Sequence, residues 1–193
     1  MQLDILGIGD PKLRRTADRI EKMGGDELAL ARSMVTAMRR ANGVGLAAPQ
    51  VGVNRRLVVI EVPAGHESDD SDEWDWDQTQ LFCLANPVIQ ELNDFRSVEE
   101  GCLSLPGFIT TISRARNVVA EAWGLDGKRF TVDARGLLAQ AIQHELDHLD
   151  GGLVSDRAGS IMNMRQVKPP WVAGSDRKPG RRAPDDAETE SVL

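Results

Sequence analysis

The run RGLLAQAIQHELDHLDGG, residues 135–152, decides most of what this chain is built to do. Leu138, Ala141, Ile142 and Leu149 recur at the three- and four-residue steps of one helix face, and Gly151-Gly152 supplies the stop. The spacing predicts a helix from about Arg135 to Asp150. Within it stands His144-Glu145-Leu146-Asp147-His148. Histidines four residues apart lie one turn above each other on a single face, so the pair can bind one metal ion while Glu145 reaches a water beside it as general base. Unpartnered imidazoles on a core-seeking helix would be costly, and these are two of only three histidines in the chain.

Working outward, residues 26–41 place Leu28, Ala31, Val35 and Met38 at helical spacing, with Asp26 as the expected N-cap and Gly43 just past the end. Before this helix, Gln2–Thr16 reads as an extended arm. After it come the Gly-rich segment 43–53 and a buried strand at Leu57–Val62. Further strands are expected at Leu81–Ala85, Ile109–Ile112, Asn117–Trp123 and Arg129–Val132, with Asp126-Gly127 turning between the last two. Strands on both sides of the first helix and a late second helix predict an α+β domain, not a regular βαβ winding. There are no internal repeats.

At 193 residues, with 41% hydrophobic and 27% charged residues, the chain has the size and composition of one globular domain. No apolar run approaches the roughly 20 residues of a membrane helix, so no membrane partner is expected. The formal charge of −7 is local in origin. Residues 64–80 hold seven of the 30 acids and no Lys or Arg, and read as a solvated acidic loop insertion that includes Trp74 and Trp76. The remainder is balanced, which argues against a dedicated nucleic-acid surface. Two cysteines cannot build a disulfide framework and the N-terminus has no signal-peptide pattern, so a reducing cytoplasm is the expected compartment. Residues 168–193 hold four prolines, five bases and five acids and are expected to be a disordered tail behind a catalytic domain of residues 1–167.

A catalytic metal site normally has three protein ligands and an open position. No histidine follows His148, and the later glutamates, Glu188 and Glu190, sit in the tail. Three soft donors remain. His66 lies in the acidic loop and reads as a solvated surface histidine. Cys83 sits in an apolar strand, where a free thiol usually packs as a small hydrophobe. Cys102 follows Gly101 and precedes an expected turn at Pro106-Gly107, an environment suited to a ligand at an open site, and is the preferred third ligand.

Three segments in this order resemble the peptide deformylase family: Gly43-Val44-Gly45-Leu46-Ala47-Ala48-Pro49-Gln50, Glu100-Gly101-Cys102-Leu103-Ser104 and Gln143-His144-Glu145-Leu146-Asp147-His148. The likeness also takes in the N-terminal arm at Asp10-Pro11 and Leu13-Arg14 and the pair Asn86-Pro87, covering roughly residues 3–157. It implies antiparallel sheets packed around a central helix that carries the His-Glu-x-x-His motif. It implies removal of the formyl group from N-formyl-methionine on nascent chains by one divalent metal, natively Fe(II), with Zn, Ni or Co as replacements. Cys102, His144 and His148 would be the ligands and Glu145 the general base, with the Gln50 amide and the Leu103 N–H on the developing oxyanion. Val44, Gly45, Leu137, Gln140 and Ala141 would contact substrate, and Glu100, Arg114 and Asp147 would orient the histidines.

The chain departs from the family at Gln140, where an apolar residue usually lines the methionine pocket, at the acidic insertion, and in a Pro-broken tail unlike a ribosome-docking helix. Any ribosome contact is therefore expected to be transient and not through a C-terminal helix. Two other readings stand beside this one: a zinc endopeptidase with a different third ligand, and a silent relative that binds formyl-peptides or ribosomes without turnover. The intact Glu145 argues against the last.

Overall fold

The structure is a computed structural model that describes residues 2–67 and 74–168. Its elements in chain order are α1 (Gly25–Arg40), β1 (Gly45–Ala47), a 3-10 turn (Ala48–Val51), β2 (Leu57–Ala64), β3 (Asp75–Cys102), β4 (Leu105–Trp123), β5 (Arg129–Arg135), α2 (Gly136–Leu149), α3 (Val154–Arg157) and β6 (Arg165–Gln166). A further 3-10 turn, Pro11–Arg14, closes the N-terminal arm, capped by the Asp10 side chain. The strands form one continuous antiparallel sheet in the order β1-β2-β3-β4-β5, with β6 added to β4. This is the α+β architecture expected, with the motif helix α2 laid on the sheet.

Strand β2 shows why its sequence is apolar at nearly every position. Val58, Ile60 and Val62 point into one cluster with Leu137, Leu138, Ile142 and Leu149 of α2. Leu57 and Val59 point into the other, with Ala31, Met34, Val35 and Met38 of α1. A strand covered on both faces has no solvent side to alternate with. Each such side chain contributes roughly 1.5–3 kcal/mol on full burial. The polar exception is Glu61, whose carboxylate accepts two hydrogen bonds from Arg39 of α1, at 2.9 and 2.8 Å.

Several expectations need correction. Helix α1 begins at Gly25 with Gly24 at the cap, so Asp26 lies inside the first turn, where its charge suits the helix dipole. The strand expected at Leu81–Ala85 is part of the 28-residue β3, and the two expected at Ile109–Ile112 and Asn117–Trp123 are one strand, β4. Register shifts between Ala85 and Val88 and between Ile89 and Glu91 reset which face each residue points to, which erases the period-two signal in this charged stretch. Pro106-Gly107 lies inside β4; the reversal after β3 is at Leu103-Ser104.

The acidic insertion is not simply a solvated loop. Ala64 ends β2, residues 75–80 begin β3, and Trp74 and Trp76 pack against the core cluster on the α2 side. His66 is 8% exposed, not solvated: its Nδ1 lies 3.1 Å from the Pro63 carbonyl. The His66 carbonyl accepts the Leu137 N–H at 2.9 Å and so caps the start of α2. Gly136, at φ 54°, permits this approach, since a Cβ there would overlap the His66 carbonyl oxygen. The tail expected to be disordered lies, from residue 169 onward, outside the described residues.

Candidate metal centre and substrate pocket

Two elements meet at the site. Helix α2 presents His144 and His148 one turn apart, their ring centroids 5.0 Å from each other. Strand β3 ends at Cys102, where the register slips next to Gly101. One donor atom from each of Cys102, His144 and His148 lies within 4.8 Å of the others, with Cys102 Sγ 3.2 Å from His148 Nε2. Neither alternative third donor joins them. Cys83 pairs with Val59 in the sheet and packs in the α1 cluster, and burial pushes its thiol up to about 12. His66 is engaged at the start of α2.

The His144 imidazole is held by charge, while His148 Nδ1 is buried with no hydrogen-bond partner among the described residues. Glu100 Oε2 lies 2.9 Å from His144 Nδ1, which leaves Nε2 to face the cysteine. The Arg114 guanidinium donates to both oxygens of Glu100, at 2.8 and 2.9 Å, and to Asp147 at 2.8 Å. Asp147 in turn accepts from Arg157. Burial alone would raise the Glu100 carboxyl, but its bond to His144 and the Arg114 pair outweigh burial and hold it at about 2. Burial likewise opposes ionisation of Cys102, and the adjacent His148 and His144 rings overcome it, taking the thiol well below its ordinary range. A thiolate and two imidazoles converging in a buried corner, one imidazole already oriented by a carboxylate, fit a divalent transition metal ion.

Glu145 points into the same corner. It is buried, its Oε2 has no hydrogen-bond partner among the described residues, and burial pushes its carboxyl up to about 7 despite the two nearby histidines. Across from it runs β1, the end strand of the sheet. Gly45 backs directly onto Glu145, leaving no room for a Cβ. The 3-10 turn after β1 delivers Gln50, whose Oε1 accepts the Ala47 N–H at 2.8 Å. Its Nε2 donates to Ser104 Oγ at 3.2 Å and lies 3.7 Å from Cys102 Sγ.

These groups open onto a cavity of about 180 Å³ lined by Val44, Gly45, Leu103, Leu137, Ala141 and Phe108. Gln140 also lines it, its amide donating to the Glu99 carbonyl at 3.0 Å. The structure thus places Cys102, His144, Glu145, Gln50, Leu103 and the expected substrate contacts around one cavity, with His148 against Cys102 outside its lining and Glu100, Arg114 and Asp147 behind His144. Sequence reasoning passes over Ser104, the buried partner of the Gln50 amide; the available signal was its place two residues after Cys102 in the same short motif.

Comparison with known proteins agrees with this geometry. The family described as polypeptide deformylase matches residues 2–164. The peptide deformylase of Thermodesulfovibrio yellowstonii is 40% identical over 159 residues, 82% of this chain and 90% of that protein. That of Dictyoglomus thermophilum is 41% identical over 155 residues, covering 80% and 92%. Among solved structures, a peptide deformylase from Legionella pneumophila superposes with a TM-score of 0.71 at 36% identity, over 81% of this chain and 86% of that one. One from Synechococcus elongatus, in complex with actinonin, gives 0.70 at 36% identity, over 80% and 78%. With three ordered motifs, one cavity and both lines of similarity in accord, the chain belongs to the polypeptide deformylase family.

Proposed function

We propose that this chain hydrolyses the formyl amide of N-formyl-methionine at the N-terminus of nascent polypeptides, releasing formate and a free amine, with Cys102, His144 and His148 as the ligands of one divalent metal. The observation that carries the reading is the convergence of those three donors beside the buried Glu145 carboxyl, whose Oε2 has no hydrogen-bond partner among the described residues. Fe(II) is the proposed native ion, with Zn, Ni and Co able to replace it, since a thiolate with two imidazoles suits all four. When bound, the ion supplies Lewis-acid polarisation of the formyl carbonyl and acidifies water.

The remaining chemistry is assigned to the chain's own groups. Glu145 takes a proton from the attacking water as the C–O bond forms, and returns it to the amine nitrogen as the C–N bond breaks. Gln50 Nε2 and the Leu103 N–H donate to the carbonyl oxygen as it gains charge. The outer edge of β1 at Gly45 pairs with the peptide backbone, and Val44, Leu137, Ala141 and Gln140 form the side-chain wall. Glu100, Arg114 and Asp147 keep His144 from rotating. Substrates of this kind emerge from ribosomes, so a transient contact there, away from any C-terminal helix, belongs to the proposal, as does a cytoplasmic setting that keeps Cys102 reduced.

The test is formate release from formyl-Met-Ala-Ser by anaerobically purified protein, with metal content measured in parallel. The expected result is about one metal per chain and formate release that is lost on chelation, restored by Fe(II), and abolished by Glu145→Gln with metal retained. Casein cleavage without formate release, or metal retained in Cys102→Ala, would overturn the reading.

A further inference from the structure

Gln50 and Leu103 come from segments about a third of the domain apart in sequence, the turn after β1 and the reversal between β3 and β4. Oxyanion donors act only when both stand roughly 2.7–3.1 Å from one point, so the spacing of the two segments matters as much as the donors themselves. Two hydrogen bonds from the N-terminal arm reach both segments. The Leu6 N–H donates to the Gln50 carbonyl and the Ile8 N–H donates to the Ser104 carbonyl, each at 2.8 Å. Residues two apart on an extended chain present their N–H groups on the same side, so a short piece of arm straps both segments at once.

The strap is anchored at each end. Leu3 is buried in the α1 cluster with Met34, Met38 and Val59, and Arg40 donates to its carbonyl at 2.6 Å. Ile8 packs against the separate cluster of Leu105, Ile112 and Val154. Within the strap, the buried Ser104 hydroxyl accepts the Gln50 amide while Ala47 occupies the amide oxygen. With its oxygen engaged, the amide keeps its NH2 toward the metal corner.

We infer that Leu6, Ile8 and Ser104 are positioning residues for the reaction, acting through the Gln50 amide and the Leu103 N–H without touching substrate. This rests on the deformylase reading of those two donors.

The experiment compares Leu6→Pro and Ile8→Pro, each lacking one strap N–H, with Gly7→Pro, which places the same ring between them without removing a strap donor, and with Ser104→Ala. In metal-loaded protein, kcat and KM for formyl-Met-Ala-Ser, metal per chain and Tm are measured. The strap variants and Ser104→Ala are expected to lose about 10-fold or more in kcat, the scale of a misplaced oxyanion donor. KM should stay within about 3-fold, with metal retained, and Gly7→Pro should remain near wild type. Ile8→Pro with Ser104→Ala should cost less than the product of the two, since Ile8 acts on the segment that carries the Ser104 hydroxyl.

Unchanged kcat in the strap variants, an equal loss in Gly7→Pro, or a loss that tracks metal content would overturn the inference. If the proline variants do not fold, Ser104→Ala decides: reduced kcat at constant KM and Tm supports it, and wild-type kcat refutes it. Absence of formate release by the wild type would instead refute the deformylase reading, and the strap with it. Release that survives every strap substitution refutes the strap alone.

Discussion

Gly45→Ala should separate catalysis from stability. A Cβ added at Gly45 would overlap Glu145 Oε1 and sit 2.9 Å from its Cδ and 3.0 Å from its Cγ. Carbon atoms pack at about 3.5–4.0 Å, so the carboxyl must retreat by about 1 Å. The structure can absorb that: the displaced group is the end of a flexible side chain, and Gly45 has no left-handed φ that alanine would strain. Restricting the unfolded chain would add about 0.4–1 kcal/mol of stability. Catalysis cannot absorb it so easily. A 1 Å misplacement of a reacting group costs about 100-fold, or about 2.7 kcal/mol of transition-state stabilisation. The expected result is kcat/KM for formyl-Met-Ala-Ser down about 100-fold with Tm and metal content unchanged or slightly raised, and partial recovery on adding Glu145→Asp, which shortens the displaced side chain. Activity within about 3-fold of wild type in Gly45→Ala would refute the placement of Glu145 as the base.

Two further outcomes follow, one from the site and one from the core. Arg114 and Glu100 have side chains only 3% and 4% exposed, so Arg114→Met leaves a buried carboxylate without its cation. Urea titration should show a loss of about 3–5 kcal/mol, together with weakened metal retention as His144 loses its oriented partner; a loss below about 1 kcal/mol would mean that the pair is not buried as described. Cys83, its thiol pushed up to about 12 by burial, should resist iodoacetamide at pH 8 in the folded protein and react only on unfolding, as read by peptide mapping.

The site was legible in sequence to the extent that its residues are neighbours along the chain. His144 and His148 share a face because a helix repeats every 3.6 residues, and that geometry needs no tertiary information. The burial of β2 could likewise be read from its apolar run, broken only at Glu61. The long hairpin of β3 and β4 could not, because its bulges invert the alternation on which strand reading depends. The buried state of His66 was hidden as well, since a histidine within seven acidic residues looks solvated until the start of α2 is brought against its carbonyl.

Local pattern alone therefore established the main element types, the two histidines with their glutamate, and the family through three ordered motifs. Cys102 was already the thiol preferred in sequence and implied by the resemblance; tertiary packing decided how it reaches the histidines while Cys83, in the same strand, stays in the α1 cluster. Packing also set what surrounds the donors: Arg114 behind Glu100, Gly45 against Glu145, and Ser104 and the N-terminal arm on Gln50. Most of these contacts join residues dozens of positions apart. They are set by strand register and by the packing of α2 on the sheet, and no local periodicity encodes either.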